Sequence, residues 1–424
     1  MQAAELDGPW LMLLLAAPLA GAIGVRRRRG GEETRRMALI AAGVALLAAL
    51  VLLVDHGHSG VGVRVDPLDP SRRLLDAALF EVDELSAWLL PFAALVFGAA
   101  LLVAPRRALA DGFAARLLLS EGLVLATFAC RRPAGVALFW ALSIVPLVVE
   151  LRGRGEPVAA RVFRRSMTLA VVLLAGGVLA LELVPADASG VRALAIGFVL
   201  AGVAVRKGIF PVHSWVAEVF AGAPLGAAVL FCAPQLGAYA LIRIAAPEAP
   251  AWLLHGFGTA ALVTAVYGSG SALVQDDPRR SFGCLFMSQS ALVMAGLDCT
   301  STVGLAGGLA LWISCGLALA GFGLTLWVLE ARRGSLSLAR FAGGYERMPL
   351  VATCFLVFGL ASVGFPGTVG FVGQELLLDG VVEEHPHVGI LVAIATAANG
   401  IAVVRMYFHL FCGARDHAGE AQRF

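Results

Sequence analysis

Residues 193–211 read ALAIGFVLAGVAVRKGIFP, apolar or small throughout except for Arg206 and Lys207. A run of this length crosses a hydrocarbon core of about 30 Å as a helix. A charge near its middle costs about 2.5–3.5 kcal/mol on insertion scales, so it persists where it is paired or faces water. Lys207 is also the one lysine of a chain with thirty-one arginines. Lysine, unlike arginine, can lose its proton when buried, which makes Lys207 a proton-carrier candidate. Gly208 and Pro211 just behind it predict a helix break, a device that lines hydrated cavities in transporters. The alternative is a lysine near a helix end that reaches to the headgroups.

The rest of the chain has the same character. Of 424 residues, 59% are hydrophobic and 15% charged, with a mean hydropathy of +0.84. An average soluble domain carries roughly 25% charge, so a soluble enzyme is excluded and a polytopic membrane protein expected. The net charge of +2 gives no reason to expect nucleic acid as a partner. Seven scattered cysteines without ligand spacing signal neither disulfides nor a metal site.

Apolar runs bounded by charge clusters predict about thirteen spans: 10–25, 37–54, 85–104, 112–129, 134–150, 166–184, 191–212, 223–244, 252–273, 281–297, 303–329, 349–378 and 388–412. The basic cluster Arg26 to Arg29 follows the first run instead of preceding it, so that run reads as a retained helix and not a signal peptide. With the N-terminus outside, twenty-two arginines fall on inside loops and six beside outside loops, as the positive-inside rule requires. The C-terminus is then cytoplasmic, in a bacterial-type inner membrane. A second glycine-rich break is predicted at Gly364 to Glu375, GFPGTVGFVGQE, where Gly364 and Pro366 interrupt span 12. Interrupted spans 7 and 12, five apart, suggest two inverted five-helix repeats at 112–244 and 245–413, after three leading helices in 1–111 and before a tail at 414–424.

Six segments, in order, now resemble a known family. Arg206 to Trp215 (RKGIFPVHSW) looks like the K-x-x-x-x-P-x-H-x-W segment of the antiporter-like membrane subunits of respiratory complex I and of Mrp-type cation/proton antiporters. Phe80 to Trp88 (FEVDELSAW) resembles that family's entry to helix 3, and Phe139 to Pro146 (FWALSIVP) its helix 5. Asp277 to Gln289 (DPRRSFGCLFMSQ), Gly364 to Glu375 and Arg405 to Gly413 (RMYFHLFCG) resemble further segments down to the exit from helix 13. The resemblance implies the same all-helical fold, lacking the usual fourteenth helix, and proton translocation within a multi-subunit assembly.

The departures from the family pattern fall on the charged positions. The helix 5 glutamate position is Ala141, Gln235 stands near the helix 8 lysine, and Gln374 occupies the helix 12 lysine or glutamate slot. Alanine and glutamine exchange no proton at physiological pH. Counted back from Pro211, the family lysine column falls on Arg206, and Lys207 is one place late, turned by about 100° on a regular helix. Glu121, mid-span in helix 4, which neighbours helix 5 in the family fold, reads as a replacement carboxylate partner for Lys207 or, alternatively, as a carboxylate hydrogen-bonded to neighbouring helices. His213 reads equally as a proton relay or as a hydrogen-bonded cap of the broken helix, and Glu375 equally as a relay or as a solvated helix terminus, with Asp379 nearer the outer surface.

The remaining polar residues have simpler readings. His56, His58, His385 and His387 form two H-x-H pairs on predicted outside loops, too few ligands for a metal. Arg243 and Arg405 are expected to snorkel. Asp276, Asp277, Arg279 and Arg280 read as an orienting cytoplasmic turn. No phosphate loop, Walker motif or cluster-binding cysteine set is present, so no cofactor is expected. The family resemblance implies that partner membrane subunits or an ion gradient supply the driving energy. Quinone binding is left open. A degenerate, non-pumping structural subunit, as in inorganic-carbon uptake or membrane hydrogenase assemblies, is the alternative function. A stand-alone solute transporter is disfavoured because no second polar cluster marks a substrate pocket.

Overall fold

The computed structural model describes residues 4–27, 31–58, 62–74, 78–105, 108–109, 112–153, 155–185, 187–298, 301–384 and 386–413. Arg28, Arg29, His385 and the tail 414–424 lie outside the described residues. Helix covers every run read as a span, although three of the runs are interrupted. Among the described residues, nine helices are long and apolar enough to cross a membrane, and Trp10–Arg26 and Pro349–Ser362 are shorter apolar helices.

The chain divides into two compact units. One holds Met1–Gly155, Met167–Val203 and Gly226–Ala249; the other holds Glu156–Ser166, Ala204–Leu225 and Pro250–Phe424. In the first, the gap between the second and third runs is not simply loop. It contributes Arg64–Val65 to a small sheet, parallel to Ala4–Glu5 and antiparallel to Glu81–Val82. Asp66, fully buried beside this sheet, accepts from the amides of Met12 (2.9 Å) and Leu68 (2.8 Å), satisfying a donor at the start of helix Trp10–Arg26. Asp83 caps helix Glu84–Val103 in a reciprocal box with Ser86.

In the second unit, glycines bring helix backbones close together. A Cβ at Gly308, in helix Thr302–Arg333, would lie 2.8 Å from the Leu297 amide nitrogen, at the end of helix Pro278–Leu297. Such small-residue seams supply the close packing that lipid, as apolar as leucine, does not drive by hydrophobicity. A row of edge-on rings, Phe220, Phe282, Phe322, Phe355 and Phe411, runs through the same unit with successive centroids 5.3, 5.3, 4.5 and 5.3 Å apart.

Candidate functional site

Helix Ser189–Lys207 ends at the lysine, and the chain resumes as helix Ser214–Gly222. The stop is a glycine C-cap: Gly208 has φ +69°, its N–H donates to the Val205 carbonyl (3.2 Å), and the Ile209 N–H reaches back to the Ala204 carbonyl (2.9 Å). This crossed pair satisfies carbonyls that the broken helix would leave bare. Phe210 N–H donates to Thr264 Oγ1 (2.9 Å), and Trp215 Nε1–H donates to the Val205 carbonyl (2.8 Å). Arg206 and Lys207 are thus set in the last turn of a capped helix, 5% and 8% exposed.

The second break uses the same backbone device. Helix Pro349–Ser362 is followed by Gly364 at φ +71°, with Gly364 N–H on the Ala361 carbonyl (3.3 Å) and Phe365 N–H on the Leu360 carbonyl (3.1 Å). Helix Val369–Glu384 then begins after Pro366 and Gly367. Gln374 is buried against Gly364, and its Nε2 has no hydrogen-bond partner among the described residues. Glu375 and Asp379 are exposed on the other side of the helix.

Sequence reasoning did not place a third break. The run 223–244, read as one span, is split into Leu225–Cys232, Leu236–Ala240 and a π-helical turn Leu241–Ala245. Between the first two lies Gln235, 2% exposed and at φ +55°, the one non-glycine residue with positive φ among the described residues. The available signal was Pro234, which has no N–H to continue the helix. The run 134–150 is likewise interrupted between Pro133–Leu142 and Val145–Gly153, so Ala141 sits in the last turn before that gap.

Glu121 lies in helix Phe113–Ala129 with no exposed surface, and neither carboxyl oxygen has a hydrogen-bond partner among the described residues. It belongs to the first unit and Lys207 to the second. His213 pairs through Nε2 with the Tyr267 hydroxyl at 3.1 Å, its ring edge-on to the tyrosine at 4.7 Å and stacked on Phe210 at 5.6 Å.

Several polar residues differ from the sequence expectation. Arg243 does not snorkel: it donates to Asp83 Oδ1 at 2.6 Å and lies 5.0 Å above the Tyr239 ring. A carboxylate 160 residues away in sequence holds it more favourably than headgroups would. Arg131 joins Asp83 at 3.5 Å and Glu81 at 3.2 Å. Burial alone would raise the Asp83 pKa, but the bond and charge of Arg243, with the Ser86 bonds, outweigh it and hold the carboxyl well below the usual range. Arg405 turns to the Gln275 carbonyl (2.8 Å) and Asp276 (3.4 Å). His56 and His58 close helix Glu32–His58 instead of lying on a loop, and His56 is buried. Asp277 caps helix Pro278–Leu297 through the Arg279 amide (2.9 Å), and Arg280 pairs with Glu218 at 3.0 Å.

Comparison with known proteins gives this arrangement a family. NADH-quinone oxidoreductase subunit 13 of Thermus thermophilus is 27% identical over 419 residues, covering 92% of this chain and 88% of that one. The fold matches a chain of the Mrp complex from Dietzia sp. DQ12-45-1b with a TM-score of 0.85 at 18% identity, covering 96% of this chain and 80% of that one. It matches a chain of respiratory complex I from Thermus thermophilus with a TM-score of 0.81 at 24% identity, covering 96% and 90%. Residues 167–399, more than half of the chain, match the family described as NADH:quinone oxidoreductase/Mrp antiporter, TM, and the chain belongs to that family.

Proposed function

We propose that the chain is a proton-conducting membrane subunit of a complex I-like or Mrp-like assembly, in which partner subunits supply the driving energy. Lys207 is the central carrier, Arg206 its counter-charge or anchoring neighbour, and Glu121 the carboxylate of the proton path. An opposite charge within about 4–6 Å of a lysine favours its charged form, so a carrier lysine changes proton affinity as its neighbouring charges move. His213 and Glu375 relay protons, and Gln235 and Gln374 order water at the other two breaks. In this reading thirteen helices cross a bacterial-type inner membrane from an outside N-terminus to a cytoplasmic C-terminus. Three lead, and two inverted repeats of five follow, at 112–244 and 245–413.

The observation that carries the proposal is Glu121: a carboxylate without exposed surface or hydrogen-bond partner among the described residues, in a chain whose one lysine stands at a capped helix break. A carboxylate kept only for packing is a costly substitute for an apolar side chain. Lys207→Ala is expected to abolish proton movement in vesicles reconstituted with the assembled complex. Unchanged flux rejects the carrier role.

A second reading, a structural subunit without a continuous path, is favoured by one observation. A glutamine accompanies two of the helix interruptions, Gln235 within one and Gln374 packed against Gly364 of another, where the family pattern has a proton carrier. That reading expects Lys207→Ala to leave flux through the whole assembly intact.

A further inference from the structure

Helix Ser214–Gly222, which follows the break, is held at both ends. At its start, Trp215 donates to the Val205 carbonyl of the preceding helix (2.8 Å), and Val216 packs against Gly208. At its far end, Arg279 Nη1 donates to the carbonyls of Ala221 (2.7 Å), Ala223 (3.1 Å) and Phe220 (3.4 Å), while Nη2 donates to Glu330 Oε2 (2.8 Å). The last carbonyls of a helix carry its partial negative charge and have no intrahelical partners, so a guanidinium that reaches two of them, Phe220 and Ala221, and the carbonyl of the capping residue Ala223 is a multiply bonded C-cap. Phe220 is pinned as well, with its ring against Gly283, where a Cβ would come within 2.9 Å. Both contacts join the short helix to one neighbour, Pro278–Leu297, which supplies Arg279 and Gly283 and also Met287 beside Gly208.

From these contacts we infer that Arg279, braced by Glu330, is a positioning residue for Lys207. The nine-residue helix is a strut whose far end is clamped by the guanidinium and whose near end holds the broken turn closed. Releasing the clamp lets the strut slide and opens the turn that buries the lysine. The functional consequence rests on Lys207 being a proton carrier; the mechanical one does not.

Because the chain has one lysine, its amine is a built-in reporter. The purified full chain in detergent is treated with an amine-reactive reagent at fixed pH, and modification of Lys207 is followed by peptide mass analysis. Arg279→Gln is expected to speed modification about tenfold, the equivalent of one lost charge-assisted hydrogen bond. Glu330→Gln, which leaves the carbonyl contacts in place, is expected to speed it about threefold. Arg279→Lys keeps a cation on the helix end but loses the fork that spans several acceptors, and is expected to give a rate between those of the parent and Arg279→Gln. Arg405→Gln, which breaks the neighbouring pair with Asp276, is the control and is expected to change nothing. Rates within about twofold of the parent for both Arg279→Gln and Glu330→Gln, or an equal change in Arg405→Gln, overturn the inference. The two ideas fail separately. An unchanged rate leaves the carrier role of Lys207 standing, and proton flux that survives Lys207→Ala leaves the clamp standing.

Discussion

Asp83 and Glu121 are both carboxylates drawn from water in the same compact unit, and they are treated in opposite ways. Asp83 receives the Ser86 amide (3.0 Å) and hydroxyl (2.7 Å), Arg243 at 2.6 Å and Arg131 at 3.5 Å. Glu121 receives no hydrogen bond from any described residue. A carboxylate surrounded by donors and two guanidiniums is committed to its charge, since protonation would break bonds and leave two cations short of a partner. A carboxylate without donors has nothing that fixes its charged form, so an approaching cation changes its protonation state. The first is suited to fixing helix ends, the second to exchanging a proton.

Replacing each acid with its neutral amide tests that division. Asp83→Asn leaves the part-buried Arg243 over Tyr239 without its carboxylate; losing one charged partner of such a bond should cost about 1.5–3 kcal/mol, below the figure for a fully buried pair. Thermal unfolding in detergent should show the loss, and a melting midpoint equal to that of the parent would end the claim that this cluster is structural. Glu121→Gln has the opposite profile. Its shape is kept and no bond is lost, so stability should stay within about 1 kcal/mol of the parent. Proton flux should fall about a hundredfold, the usual scale for removing a proton-transferring group. A stable Glu121→Gln variant with full flux would place Glu121 with the scaffold instead.

The contrast between the two acids was only half legible in the sequence. Glu121 stands out because it is a lone acid in an apolar run, a pattern that depends on neighbours along the chain. Asp83 does not stand out: it is one acid among several at the start of a helix, and its partner Arg243 is 160 positions away. The same limit separates the breaks. Those after Lys207 and Ser362 each end in glycine at a left-handed φ, with a proline within three residues, and both are visible in local sequence. The break at Gln235 was missed because a glutamine in that conformation is held by the surrounding packing and not by its own preference. The Arg279 clamp was read as a topological charge pair for a related reason. Its acceptors are backbone carbonyls 56 to 59 residues earlier, which no pattern of side chains announces.

The smallest expected effect sharpens the comparison through pH. Arg243 and Ser86 hold the Asp83 pKa well below the usual range, whereas in the unfolded chain it titrates near the ordinary aspartate value of about 3.9. The unfolded state therefore binds its proton first as pH falls. The stabilisation from Asp83 is fully present above about pH 4, and it fades as pH drops below that value toward the depressed folded pKa. Asp83→Asn lacks this dependence. The gap in melting temperature between parent and variant should be constant from neutral pH down to about 5 and should narrow measurably below about 4. A gap that stays constant to the lowest pH the protein tolerates would mean that Asp83 contributes through shape and hydrogen bonding alone. The distinction between a committed and an uncommitted carboxylate would then have to be drawn from Glu121 by itself.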